Sequence, residues 1–180
     1  MASMVASNIL TRADLDALPD DNLRHELIDG QFVMTPAPGF AHQTMVGALG
    51  HRLWQALCGS DLKVLSAPFD VVLGPHVVEP DLLVARRADF TSRDLPVAPL
   101  LVVEVLSPST ARMDTGRKRD LYADAGVAHY WLLDPAASAI TILTLVDGHY
   151  VETGHTSGDE AITAEQPASL TFSAAELLAD

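Results

Sequence analysis

The chain has 180 residues, 48% hydrophobic and 19% charged, which excludes a disordered polymer and suits one domain spanning 1–180 with a single sizeable core. A formal net charge of -13 excludes a protein that grips nucleic acid over its whole surface, so any phosphate-binding surface has to be local. Cys58 is the only cysteine, no apolar run approaches membrane-spanning length, and Met1–Leu10 carries no basic leader; a cytoplasmic protein with no membrane partner and no disulfide is expected.

In chain order, Thr11 with Asp14 predicts a capped short helix to about Leu18. Two apolar runs, His25–Ile28 and Gln31–Met34, flank Asp29-Gly30, a pair that accepts the positive φ of a tight turn, and predict a hairpin. Ala41–Cys58 carries Met45, Leu49, Leu53 and Leu57 at four-residue spacing and predicts a helix, with Gly59 as its stop. Strands are predicted at Lys63–Leu65, Phe69–Leu73, Leu82–Ala85 and Leu100–Leu106, the last almost wholly apolar as in a strand buried on both faces. A helix follows over Asp114–Ala125 with Gly126 as its stop, then a strand at His129–Leu133. A second hairpin is predicted around Asp147-Gly148, from Ile140–Leu145 and Tyr150–Glu152, and Ser173 with Glu176 opens a final short helix. Strands and helices alternate too sparsely for a doubly wound fold; a mixed α/β sheet flanked by helices fits.

The chemistry concentrates on a few acids. Glu104 interrupts an apolar strand, and an unpaired buried carboxylate costs several kcal/mol, roughly, so it requires a cation or a basic partner. Asp81 follows Pro80 at the start of the preceding strand; on neighbouring strands the two carboxylates would converge and repel unless a cation lay between them. A small set of oxygen ligands favours Mg²⁺ or Mn²⁺. Glu26, on the first hairpin, is either a third acid of this site or a surface residue of an edge strand. Lys118, one helix beyond Glu104, either leans into the site to orient water or hold a phosphate oxygen, or pairs at the surface with Asp114 four residues back. Tyr122 lies one turn further on the same face. Arg112, Arg117, Lys118 and Arg119 are either a local phosphate-binding surface or a solvated helix face. The remaining histidines and Cys58 show no metal-ligand spacing.

These residues resemble a known pattern. Pro80-Asp81 followed by Glu104-Val105-Leu106 is similar to the PD-(D/E)XK signature, with Leu106 where a lysine often stands and Lys118 on the following helix. Longer phrases carry the resemblance to the Uma-two family of restriction-endonuclease-like proteins: His25 to Gly30, His42-Gln43, Glu79 to Val84, Leu101 to Thr110, Lys118 to Val127 and Tyr130 to Pro135. The resemblance implies an αβββαβ core at about 41–135, with an N-terminal hairpin and a C-terminal strand extension. It implies that Asp81, Glu104 and the carbonyl of Val105 bind Mg²⁺ or Mn²⁺, that Lys118 is a migrated catalytic lysine, that Glu26 supports them, and that His42, Gln43 and Tyr122 line the site.

Two functions follow as expectations. The first is a metal-dependent nuclease acting on DNA, with a homodimer joining two small basic patches. The second is a catalytically weak or inactive nucleic-acid-binding or regulatory module that keeps the fold; the overall acidity favours it, and the Asp81, Glu104 and Lys118 set favours the enzyme.

Overall fold

A computed structural model of the protein describes residues 9–19 and 23–179; the reading of the first eight residues as leader-free lies outside them. Helix α1 is Arg12–Asp16, opened by Thr11, whose N–H and hydroxyl both donate to Asp14 Oδ2 at 2.8 and 2.7 Å. It stops short of Leu18 because Pro19 disfavours helical geometry in the residue before it. Strands β1 (Arg24–Ile28) and β2 (Gln31–Thr35) form the expected hairpin, with Asp29 and Gly30 both left-handed at φ 53° and 69°. Helix α2 (Phe40–Ala56) buries Met45, Leu49 and Leu53.

The main sheet contains six strands in the order β11-β10-β9-β8-β6-β3. Of these, β3 is Leu62–Ser66, β6 is Leu82–Arg86, β8 is Leu101–Val105 and β9 is His129–Asp134. Within this sheet β8 and β9 are the one parallel pair described, and parallel neighbours need a crossover. That crossover comprises α3 (Ala111–Met113), a π-turn over Asp114–Lys118, and α4 (Arg119–Ala125), which ends on left-handed Gly126. Thus α2, β3, β6, β8, α4 and β9 form the αβββαβ core. Strands β10 (Ala139–Val146) and β11 (His149–Ser157) turn through Asp147-Gly148 and extend the sheet at its C-terminal edge, both longer than predicted.

A second sheet, in the order β2-β1-β5-β4-β7, was not legible in the sequence. It contains β4 (Asp70–Leu73), β5 (His76–Val78) and β7 (Asp94–Leu95) beside the first hairpin. The run Phe69–Leu73 is therefore extended as predicted but belongs to this sheet. Strands β12 (Ile162–Ala164) and β13 (Leu170–Phe172) form a separate ribbon, followed by α5 (Ala174–Ala179), where Ser173 and Glu176 cap each other reciprocally at 3.2 Å.

Alternation along β8 decides which residues meet which layer. Leu101, Val103 and Val105 pack with Met45, Leu49, Leu53 and Leu177 of α2 and α5. Val102 faces the other way, into a core with Leu121 and Tyr122 of α4 and Ile28, Val71 and Val78 of the second sheet. Glu104 shares that face with Val102, so it lies between the two sheets. Among the described residues, no helix is long and apolar enough to cross a membrane.

Candidate active site

Strands β6 and β8 pair antiparallel with Leu82 opposite Val103. One further step places Asp81 across from Glu104, and opposed residues project from the same face of a sheet. Strand β1 contributes Arg24 and Glu26, two residues apart and on one face. Glu26 is only 1% exposed, and β1 lies between β2 and β5, so it is not a surface residue of an edge strand. Glu79, Asp81, Glu104, Asp114 and Lys118 are all buried as well.

The ion pairs form one connected network. Arg24 Nη1 donates to Asp81 Oδ1 at 2.9 Å, and its Nη2 lies 3.5 Å from Glu26 Oε1 and 3.8 Å from Glu104 Oε2. Lys118 Nζ lies 2.9 Å from Glu26 Oε1, 3.0 Å from Glu104 Oε1 and 3.7 Å from Asp114 Oδ1. The pairing with Asp114 is therefore present, but inside the protein rather than at its surface. The π-turn makes this possible: an extra residue in the turn rotates Asp114 and Lys118 inward together. Tyr122 donates its hydroxyl to Glu104 Oε1 at 2.8 Å. Asp81 Oδ2 accepts from the Val105 N–H at 2.8 Å and lies 3.1 Å from His42 Nε2. Glu26 Oε1 also accepts the Glu79 N–H at 2.9 Å.

Burial pushes the Glu104 carboxyl up to about 8, against the pull of Lys118. Burial likewise raises Glu79 to about 7 and raises Asp114. For Asp81, burial alone would raise the carboxyl, but His42, Arg24 and the Val105 N–H outweigh it and hold it below its ordinary value. Burial opposes the charge on Lys118, yet Glu104 and Glu26 outweigh it and hold the ammonium above its ordinary value. Lys118 is therefore a fixed positive charge, not a proton acceptor, at neutral pH.

A cleft of about 550 Å³ opens onto this network, bounded by Arg24, His42, Gln43, Asp81, Glu104 and Lys118 among others, with Val105 in its wall. Glu26 and Tyr122 lie behind Lys118 and Glu104 rather than in the wall. Gln43 is exposed at the rim. The sequence reading missed Arg24 and the cleft-facing Glu79. Each stands two residues from a chosen acid, Glu26 and Asp81, so strand alternation was the available signal. The basic cluster does not form one surface: Arg117 pairs with Asp29 at 2.5 Å, Arg119 donates to the Tyr150 carbonyl at 3.1 Å, and Lys118 is buried.

With this geometry in place, comparison with known proteins is decisive for the family. A family described as "Putative restriction endonuclease" matches residues 12–176. The chain belongs to the Uma2 family. Its fold is shared with the crystal structure of "a putative nuclease belonging to DUF820 from Anabaena variabilis ATCC 29413", with a TM-score of 0.78 at 18% identity, covering 94% of this chain and 98% of that one. No curated protein matches. The restriction-endonuclease-like core of the Uma2 family thus accounts for α2, β3, β6, β8, α4 and β9, the elements that hold Asp81, Glu104 and Lys118.

Proposed function

We propose that the chain is a metal-dependent nuclease that hydrolyses phosphodiester bonds of DNA at the Asp81–Glu104 cleft. The observation that carries this reading is the crowding of acids at the cleft: among the described residues Glu79, Asp81, Glu104 and Asp114 line it with Glu26 behind, and burial raises Glu79, Glu104 and Asp114, so these acids keep protons that a divalent cation would displace. Glu79 Oε2 is buried with no hydrogen-bond partner among the described residues. That crowding fits a divalent cation. No group of three or more His, Cys, Asp or Glu side chains among the described residues is arranged to hold a metal ion. The donor set is thus two carboxylates, Asp81 and Glu104, with the Val105 main chain and water, which suits Mg²⁺ (or Mn²⁺), an ion that keeps several of its waters.

When bound, such an ion supplies Lewis-acid polarisation of the phosphate and a more acidic water. The chain's own residues do the rest. Lys118, permanently charged, donates to the attacking water or to a phosphoryl oxygen as negative charge develops there. Glu26 and Asp114 hold its ammonium in place, and Tyr122 fixes the Glu104 carboxylate. Arg24 compensates Asp81 and Glu104 before substrate arrives. His42 lines the cleft and would steady the Asp81 carboxylate from 3.1 Å away.

A second reading, a binding or regulatory module with little catalysis, is favoured by the net charge of -13 and by the engagement of Arg117 and Arg119 in internal contacts. A cleavage assay on single- and double-stranded DNA and RNA with Mg²⁺ or Mn²⁺ separates the two. DNA cleavage that requires the ion and is lost in Asp81→Ala supports the enzyme; binding without cleavage under every condition supports the module.

A further inference from the structure

Among the described residues, one face of helix α2 is uncovered. Phe40, Thr44, Gly47, His51 and Trp54 recur at spacings of four, three, four and three, which is one stripe of a helix and the spacing of a helix-pairing seam. Phe40 is 87% exposed and Trp54 54% exposed, and Trp54 is stacked with His51 at 6.5 Å between ring centroids. A shallow groove runs along this face, lined by Phe40, Gln43, Thr44, Gly47, His51 and Arg52 among others, Arg52 being paired with Glu176 of the same chain at 3.2 Å.

Three features identify what covers it. First, α2 contains no acidic residue, in a chain whose net charge is -13. It is a place where two copies of so acidic a protein approach without repulsion. Second, no packing among the described residues requires a glycine at position 47. A Cβ added there would meet nothing within 4 Å, whereas Gly50 on the inner face would meet Leu82 at 3.2 Å. A mid-helix glycine costs roughly 0.5–1 kcal/mol relative to alanine, a cost that a close helix–helix approach on this face would offset. Third, Phe40 and Trp54 lie seven residues and Gln43 and His51 four residues on either side of Gly47, so this set is symmetric about it. We infer that α2 pairs antiparallel with α2 of a second copy of this chain, with the two-fold axis at Gly47. Phe40 then packs on the partner's Trp54, Gln43 meets the partner's His51, and the two Gly47 backbones make the closest approach. Such an isologous contact is self-complementary by construction. Gln43 lines both this groove and the cleft, so the interface borders both clefts.

The inference does not depend on the proposed chemistry, because its readout is mass. Light scattering of the full chain is measured from about 1 to 200 µM, the range in which an interface at the small end of the scale holds. The mass should rise to twice the 19.2 kDa of one chain. Gly47→Glu, which has room to fold, should remain monomeric across the range with its melting temperature retained. In a Cys58→Ser background, Gly47→Cys should form a disulfide-linked dimer on mild oxidation, since side chains on the axis come within bonding range, and Gln55→Cys should not. A wild-type chain that stays monomeric, a Gly47→Glu chain that still dimerises, or equal cross-linking at positions 47 and 55 overturns the inference. So does a monomer whose retention on single-stranded DNA is lost in Trp54→Ser, which would make the face a nucleic-acid groove.

Discussion

Replacing Glu104 by glutamine isolates the electrostatics of the cleft with almost no change in shape. Glu104 is 2% exposed, and its carboxyl is pushed from an ordinary value of 4.5 up to about 8, chiefly by burial. The folded protein therefore holds this proton more tightly than the unfolded chain does. Between pH 4.5 and about 8 the native state binds one proton that the unfolded state has released, so stability falls as pH rises through this window. At about 1.4 kcal/mol for each tenfold change in proton affinity, the whole loss is on the order of 5 kcal/mol. Glutamine resembles the protonated acid, keeps an oxygen for Tyr122 and Lys118, and has no such loss. Urea unfolding at pH 5, 7 and 9 without divalent ions measures it. Glu104→Gln and the parent should be about equally stable at pH 5, and the variant should be more stable by a few kcal/mol at pH 9. Glu79 titrates in the same region in both proteins and cancels in the comparison. A parent as stable as the variant at pH 9 would refute the reasoning: Lys118, Arg24 and Tyr122 would then compensate the buried charge in full.

Lys118→Met leaves Glu26 and Glu104 with Arg24 and takes from Asp114 its ion-pair partner; we expect a loss of about 3–5 kcal/mol at pH 8, smaller at pH 5 where the acids take up protons, and a fall in any cleavage rate of roughly 100-fold or more. Mg²⁺ should raise the melting temperature of the parent, by the equivalent of about 2.7 kcal/mol at a hundredfold excess over its dissociation constant, and should not raise that of Asp81→Asn; an equal gain in both would place the ion elsewhere. Nucleic-acid binding should be weak and fall steeply between 50 and about 200 mM salt, because the net charge of -13 opposes it and only local cations attract phosphate. Filter binding across that range tests it, and tight binding insensitive to salt would contradict it.

Much of the frame was legible because its signals are local. Four-residue spacing of Met45, Leu49 and Leu53 marks α2, and the glycines at 30, 126 and 148 take the positive φ that their turns require. One acid in an otherwise apolar β8 was enough to single out Glu104, since burying a charge there is costly wherever the strand lies. Which cation answers that acid depends on contacts between segments far apart in the chain. Arg24 reaches Asp81 from 57 residues away, and Glu26 enters the site only because β1 joins β5 in a second sheet facing the first. Phe69–Leu73 reads as a strand from its own residues, but pairing with β5 rather than with the main sheet is settled by packing. The inward turn of Lys118 likewise rests on a π-turn, whose extra residue leaves no mark in the side-chain pattern. Composition and periodicity therefore determined the elements of the core and the acid that needs a partner, but not the short strands β5, β7, β12 and β13. Tertiary structure alone decided the partners, because strand pairing and sheet stacking bring together residues that sequence separation keeps apart.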